Sequence, residues 1–441
     1  MIEISYMTVI NGPNEWSKIH TRPRRGNVTR HKKLGKGSFG VIFSPPLEND
    51  NYTPTSNDVV KIYNSKPIYN KAIANVEITK NISDLAIETT PYKRQYKFRD
   101  LPEDIQLELR SRKTINSNTK KSINIYSNDK NVYMIRTPYL GHSCHDIFMD
   151  DDSLPNKDNV PKGVYKSELK SVDCVTLLKE ISKCLHIIRK IINKKYIHGD
   201  IRPPNVMYNF KKNTLTIIDF DTFKEKSVYL KDEIYTNTTS SYQLRVIPIE
   251  FTPLFHAYSK NLPIRDNIKL IIDKGANYLN KIHYSYYKLL CKSISHETES
   301  LIITKDIFDK DLSKIIGFIE NNNININDTL KTGEDINHIK RSIFDNVWTY
   351  MDLWGFGYSI LLLCIVIYKN KKQEEITYES DIRHILFILN VLITGILNPD
   401  MDNRFDIDRA IKVCDDYIGT IQTTGGKRNR KSRKPRKSRK R

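Results

Sequence analysis

Four stretches of this 441-residue chain hold residue types suited to one chemistry, the transfer of a phosphoryl group from a nucleotide. That reaction asks a protein for positioning and charge neutralisation rather than covalent participation. Leu34 to Phe43 reads LGKGSFGVIF and places Gly35, Gly37 and Gly40 in the spacing GxGxxG. Glycine permits the tight turn and close backbone approach that a phosphate needs. Gly35, Lys36, Gly37, Ser38, Phe39 and Gly40, with Ile42 on the returning stretch, therefore form a candidate nucleotide loop. The same spacing occurs in dinucleotide-binding folds, where a helix follows the glycines. Here VIF returns as a strand and a polar loop comes next.

A cation for the α- and β-phosphates is expected downstream, and Lys61 in DVVKIY closes a short apolar strand. A lysine bordering a strand is ordinarily a solvated edge; its place after the glycine loop gives it weight. A glutamate on the next helix is expected to hold such an ammonium. Glu77 in NKAIANVEITKNI has the spacing, and Glu88 is the second candidate. Further on, Ile197 to Asn209 reads IHGDIRPPNVMYN, with Asp200 and Asn205 in HxDxxxxN spacing, and Asp219 follows behind the strand LTII. Asp200 can orient a substrate hydroxyl and accept its proton, while the Asn205 carboxamide and the Asp219 carboxylate offer hard oxygen ligands to magnesium. Two turns merely rich in Asp and Asn would not be expected to share this spacing, the intervening strand, and an upstream glycine loop and lysine.

The elements that must position these groups follow from patterning. Residues 1 to about 27 are a polar lead-in, and Arg30 to Tyr63 reads strand, glycine turn, strand, polar loop, strand. Lys71 to Ile87 can form a helix, and Asn131 to Tyr139 is rich in the β-branched and aromatic residues that strands favour. The charged stretch between them has no clear pattern. Cys174 to Ile192 carries apolar residues at helical spacing, Leu215 to Ile218 reads as a buried strand, and Leu353 to Tyr368 and Ile382 to Leu397 read as strongly apolar helices. A small strand-rich part before a larger helical part is an α+β arrangement, with a cleft expected between the two.

Composition narrows the classes. Hydrophobic residues at 39% and aromatics at 10% suffice to close a core. Of the formal charge of +20, eleven units lie in Lys427 to Arg441, which has no acid, and about +9 remains for the rest. The six cysteines are scattered without a CxxC pair, which argues against a zinc site or a disulfide framework. The N-terminus lacks the basic start and apolar run of a signal peptide, so a reducing, intracellular location is expected. The most apolar stretch, YSILLLCIVIY from Tyr358 to Tyr368, is shorter than the ~20 residues a bilayer needs and reads as a buried core helix, with no membrane contact expected.

From about Asn27 to Arg409 these motifs resemble the eukaryotic-type protein kinase family, serine/threonine type. The HRD-type loop of that family is matched by His198, Gly199 and Asp200, the magnesium-binding DFG by Asp219-Phe220-Asp221, and the DxWxxG start of the central helix by Asp352 to Gly357. Asn398, Pro399 and Arg404 resemble the late motif whose arginine pairs with the glutamate closing the activation segment, here Glu250. The resemblance implies a bilobal kinase domain at 28–409, with an N-lobe of about 28–140, a C-lobe of about 141–409 and a long insert at about 252–347. A short extension, 410–426, and a disordered basic tail, 427–441, would follow. ATP and Mg2+ are the implied cofactors and serine or threonine hydroxyls of proteins the implied acceptors. Asp200, Arg202 and Lys61 are the implied catalytic residues, with Asn205 and Asp219 on the metal. Arg202 stands where the serine/threonine branch carries a lysine. Thr137, in MIRTPYLG, aligns with the residue bordering the adenine pocket, although a threonine in a buried strand would look the same.

Three departures bear on regulation: Gly199 replaces the arginine of HRD, Asp221 the glycine of DFG, and PIE stands where APE is usual. None removes a phosphate, metal or proton-handling residue, so activity without phosphorylation of the activation segment is expected. A pseudokinase scaffold that binds ATP, or a small-molecule kinase of the same fold, are the alternatives. The tail, dense in Lys and Arg, would contact nucleic acid without sequence preference or act as an import signal. Tail and Asn/Ile/Lys/Tyr-rich body together resemble proteins of giant DNA viruses of the Mimivirus kind, which implies host cytoplasm, virion or nucleus as the location.

Overall fold

Alternation along DVVKIY and NVYMIRTP builds the first layer, because successive side chains of a strand face opposite ways. In the computed structural model, the residues described are 31–36, 40–44, 46–47, 58–63, 65–82, 90–92, 96–110, 113–115, 122–124, 130–150, 163–228, 333–372, 375–398 and 403–430. These residues are mixed α and β, and their paired strands run antiparallel. They divide into two compact units. The first comprises residues up to Ser167 together with Asp219–Phe223, and the second Glu168–Ile218 with the described residues from Lys224 onward.

In the first unit, β1 (Lys32–Lys36), β2 (Gly40–Ser44), β3 (Asp58–Tyr63) and β8 (Asn131–Pro138) lie side by side in that order. The short strands β4 (Thr90–Pro91) and β5 (Tyr96–Lys97) pair with β8 as well, while β6 (Lys113–Ile115) and β7 (Ser122–Asn124) form a separate hairpin. Val41, Phe43, Val60, Ile62, Val132 and Met134 share one face and bury against Tyr92, Tyr96, Phe98 and Leu101, and against Ile105 and Leu109 of helix α2 (Glu103–Arg110). The other face takes α1 (Lys66–Ile82): Ala72 buries with Tyr63 and Ile135, and Ile68, Tyr69, Ile73 and Tyr133 pack around them. A two-residue strand, β9 (His142–Ser143), then leads into α3 (Cys144–Met149), capped by the Ser143 hydroxyl, which accepts from the Asp146 amide.

Two sequence expectations shift here. Helix α1 begins five residues before the expected Lys71, because Pro67 falls in its first turn, where a missing N–H costs nothing. Helix α2 lies in the charged stretch that showed no pattern. Its acidic face hid the two apolar residues, a turn apart, that anchor it, and Lys33 of β1 ion-pairs with Glu108.

The second unit is mainly helical. A one-turn helix, α4 (Lys166–Lys170), precedes α5 (Cys174–Asn193), whose N-cap is Asp173. Burial works against ionisation of that carboxyl, but hydrogen bonds from Thr176 and Val175 hold it below the usual carboxylate range. Strand β10 (Tyr196–Ile197) pairs with β13 (Lys224–Glu225), and β11 (Val206–Asn209) forms a hairpin with β12 (Thr214–Ile217). Helix α6 (Gly333–Lys372) is the core: every residue from Met351 to Tyr368 is buried. Trp348–Lys372 has the length and hydropathy of a membrane span, yet 94% of its most apolar window is enclosed by protein. This matches the core helix expected from YSILLLCIVIY.

Helix α6 starts twenty residues ahead of the expected Leu353, so the end of the expected insert at 252–347 is part of the helix itself; residues 252–332 lie outside those described. The expected helix Ile382–Leu397 is three pieces: α7 (Glu375–Phe387), a π-helical turn (Ile388–Ile393) and α8 (Thr394–Ile396). The last helix, α9 (Ile407–Arg430), packs on α5, with the Ser182 hydroxyl donating to Asp415 and the Cys414 thiol to the Leu178 carbonyl. It continues past Lys427, where a disordered tail was expected to begin; residues 431–441 lie outside those described.

Candidate active site

In the first unit the glycine-rich stretch is a hairpin. Gly35 and Lys36 end β1, Gly40 opens β2, and Gly35 sits opposite Ile42 after an irregularity in register. Gly37, Ser38 and Phe39, the expected phosphate-facing turn, lie outside the described residues. Lys61 does not close its strand as expected from sequence, since β3 runs on to Tyr63. It occupies the middle of the sheet, between Ile42 of β2 and Ile135 of β8, on the face that α1 covers. Thr137 lies opposite Val59 and, two residues from Ile135, shares the Lys61 face.

The Lys61 ammonium donates to Asp219 Oδ1 at 3.0 Å and lies 5.2 Å from the centre of the Tyr63 ring. Asp219 has φ 65 and ψ 62, the left-handed region that costs an ordinary residue about 1–2 kcal/mol and that Asp tolerates better than most. A turn of 3-10 helix, Phe220–Thr222, follows it, with the Phe220 and Phe223 rings edge to face. Asp221, in place of a glycine, falls inside this turn, and the positive φ belongs to Asp219 instead.

The expected partner of Lys61 does not meet it. The Glu77 side chain is 63% exposed and pairs with Lys80 on the outer face of α1. Residues two apart on a helix are turned some 200° from one another, and it is Asn75 that faces inward. Its Nδ2 donates to the Phe220 carbonyl at 2.6 Å. Asn75 carries little signal in the sequence: it is an uncharged polar residue among Ala72, Ile73 and Val76, with no charge to mark it as a partner for an ammonium. Glu88, the second candidate, lies outside the described residues.

In the second unit the loop Ile197–Asn205 is fixed from beneath by one buried carboxylate. Asp352, on α6, accepts from the His198 amide through Oδ2 at 2.7 Å and from the Gly199 amide through Oδ1 at 3.0 Å. Burial pushes the Asp352 carboxyl upward, while His198 and the two amide donors work the other way. The His198 ring is fully enclosed. Its Nδ1 accepts from the Asp200 amide at 3.3 Å, so Nε2 must carry the proton that bonds the Ile218 carbonyl at 3.1 Å. Gly199 has φ 74. Gly355 brings α6 so close that a Cβ there would lie 2.0 Å from the Ile201 carbonyl oxygen.

On this platform Asp200, Arg202 and Asn205 meet. Asn205 Nδ2 donates to the Asp200 carbonyl at 2.9 Å and to Asp200 Oδ2 at 2.8 Å, and Arg202 Nε forms an ion pair with Asp200 Oδ1 at 3.0 Å. With the Asn205 nitrogen committed to Asp200, its Oδ1 is the end of that side chain able to ligate a hard cation. Asp200 and Asn205 are both buried, and a carboxylate held on both oxygens retains lone pairs to accept a further proton donor.

Arg404, from the late arginine motif, is buried over the Trp354 ring at 4.9 Å and donates from Nε to the Asn398 carbonyl at 2.7 Å. Glu250, its expected partner, lies outside the described residues. No protein-family model matches this chain, and no curated protein matches its sequence.

Proposed function

We propose that the chain is an ATP- and magnesium-dependent serine/threonine protein kinase with the bilobal fold of that family. The observation that carries this reading is the Asp200 carboxylate, fixed by Asn205 on one oxygen and Arg202 on the other, above a loop whose amides are tied to Asp352. A buried aspartate oriented so closely has the makings of a base for a neutral hydroxyl. The Lys61–Asp219 pair, 158 residues apart in sequence, supports the same reading.

In the proposed reaction a serine or threonine hydroxyl oxygen bonds the γ-phosphorus of ATP, the bond from that phosphorus to the bridging β–γ oxygen breaks, and ADP leaves. Asp200 orients the hydroxyl and takes its proton. Lys61 neutralises the α- and β-phosphates, and the hairpin bearing Gly35 and Gly40 covers them. Asn205 Oδ1 and the Asp219 carboxylate are hard oxygen donors of the kind Mg2+ prefers and would hold it; bound Mg2+ offsets phosphate charge during transfer. Arg202 keeps Asp200 in place and adds a positive charge beside the transferred group. The Lys/Arg-rich C-terminal tail is proposed as an accessory, sequence-independent contact to nucleic acid.

The test is incubation of the purified protein with Mg2+ and γ-labelled ATP, with basic and with acidic protein substrates, beside Asp200→Ala. Label on serine and threonine with wild type and its loss with the variant are expected. Equal labelling by both would remove Asp200 from its role, and nucleotide binding without any transfer would favour a pseudokinase scaffold.

A further inference from the structure

Asn75 is a polar side chain buried to 5% exposure in the face of α1 that packs on the sheet, a place where an amide survives only if its hydrogen bonds are made. Its partner is far away in sequence: Nδ2 donates at 2.6 Å to the backbone carbonyl of Phe220. That carbonyl also accepts from the Phe223 amide at 3.0 Å, which closes the 3-10 turn, so both of its lone pairs are used. The residue immediately before it is Asp219, held at φ 65. A non-glycine residue stays in the left-handed region only when its surroundings over-determine it. Asp219 is gripped at its carboxylate by Lys61 and, one residue on, at the Phe220 carbonyl by Asn75.

We infer that Asn75 is a positioning residue for the magnesium-binding aspartate. Its carboxamide anchors the Phe220 carbonyl to α1, fixes the peptide that follows Asp219, and so sets the direction in which the carboxylate is presented. The helix thereby controls the metal loop through an uncharged amide, and Lys61 bonds Asp219 with no help from the exposed Glu77. The inference rests on the proposed kinase reading for the metal, but the anchoring itself concerns the protein without nucleotide.

Asn75→Asp is nearly isosteric and cannot donate, and Asn75→Ala removes the donor without adding a buried charge, in case the first variant fails to fold. Two measurements are needed. In nucleotide-free protein, hydrogen–deuterium exchange of the peptide covering Asp219–Phe223 is expected to rise about tenfold or more, the worth of one buried hydrogen bond, with α1 and β3 unchanged. By calorimetry, the Mg2+ concentration needed for half-maximal ATP binding is expected to rise by a similar factor, with metal-free ATP affinity unchanged. Unaltered exchange at Asp219–Phe223, or equal loss of protection throughout α1, would overturn the inference, as would an unchanged Mg2+ requirement in a variant with altered exchange. Failure of the wild type to bind magnesium-ATP would count against the kinase reading alone, since the exchange experiment uses no nucleotide.

Discussion

Arg202 Nε stands 3.0 Å from Asp200 Oδ1, and the opposite oxygen of that carboxylate takes a hydrogen bond from Asn205 at 2.8 Å. A carboxylate so held cannot rotate without breaking one contact, which fixes the direction of its remaining lone pairs. On the proposed kinase reading, Asp200→Ala is expected to lower kcat by about 10²–10⁴ with little change in magnesium-ATP affinity, because in that reading the residue acts on the hydroxyl and not on the nucleotide. Arg202→Ala should lose part of that factor, and Arg202→Lys should recover most of it by restoring the charge beside Oδ1. Steady-state kcat and KM together with calorimetric ATP affinity check all three. A strong loss of nucleotide affinity in Asp200→Ala would place the residue elsewhere in the reaction.

The Asp352 carboxylate ties α6 to the backbone at His198 and Gly199. Asp352→Ala leaves the His198 and Gly199 amides without their acceptor and is expected to cost about 2–5 kcal/mol, seen as a lower denaturant midpoint. Gly355→Ala should also destabilise, by about 1–3 kcal/mol, because its methyl would overlap the Ile201 carbonyl, a backbone atom that cannot turn aside. Unfolding midpoints of both variants provide the check, and a Gly355→Ala protein as stable as wild type would show that the helix and loop separate easily.

Lys61, Asp200, Asn205 and Asp219 stand out in the sequence because each sits in a short motif, and the structure joins Lys61 to Asp219 and Asn205 to Asp200. The strands at Asp58–Tyr63 and Asn131–Pro138 were legible because burial on both faces calls for the apolar, β-branched and aromatic residues they carry. What the sequence left open is which side of a helix meets a distant segment. Helix α1 has apolar residues on more than one side, so its phase depends on contacts with the sheet and with Phe220, which turn Asn75 inward and Glu77 outward. Helix α2 and the first half of α6 escaped for a related reason: each is charged or polar, and α2 is held by just two buried side chains.

His142 lies between the hydroxyls of Tyr139 and Tyr165, 3.1 and 2.9 Å from its ring nitrogens, near Asp146 on α3. Burial lowers the His142 pKa to about 4 and raises that of Asp146 to about 6, the latter opposed by bonds from Ser143. Between about pH 4 and 6.5 the unfolded chain binds a proton that folded His142 refuses, so its contribution makes stability rise with pH. Asp146 acts in the opposite sense from about pH 4 to 6, where the folded state binds the extra proton. The two slopes partly cancel. His142→Gln should therefore be stabilised relative to wild type toward pH 4, by up to about 3 kcal/mol, while Asp146→Asn should show a steeper loss as pH falls. Thermal melts at pH 4 to 7 decide it, and parallel curves for His142→Gln and wild type would refute the assignment.

Lys and Arg dominate residues 427–441, and α9 carries the first of them as far as Arg430. Neutralising Z phosphates of duplex DNA gives a log–log salt slope of about −0.9Z. On the proposed tail contact and kinase reading, removal of residues 431–441 leaves α9 intact and should flatten that slope while phosphoryl transfer to a protein substrate persists. Filter binding across a salt series measures it. An unchanged slope would move the nucleic-acid contact to the body of the protein.

On the proposed kinase reading, Gly199 stands where a kinase regulated through its activation segment carries an arginine, and its φ of 74 lies where a side chain is strained. Such an arginine reads a phosphate on the segment through a charge-assisted pair. Gly199 has no group to make that pair, and its amide is already committed to Asp352. The turn at Asp219 is held by side chains as well, since Asp219 is bonded by Lys61 and Phe220 by Asn75. Activity is therefore expected to be independent of phosphorylation at Thr236, Thr238, Thr239, Ser240 and Ser241, which lie outside the described residues. Gly199→Arg should not install that dependence; it should destabilise the fold by about 1–2 kcal/mol through backbone strain. Rates before and after phosphatase treatment, together with the variant replacing all five hydroxyl residues by alanine, provide the measurement. A large loss common to the treatment and the variant would mean that another basic residue reads a phosphate on the segment, and the inference from Gly199 would fail.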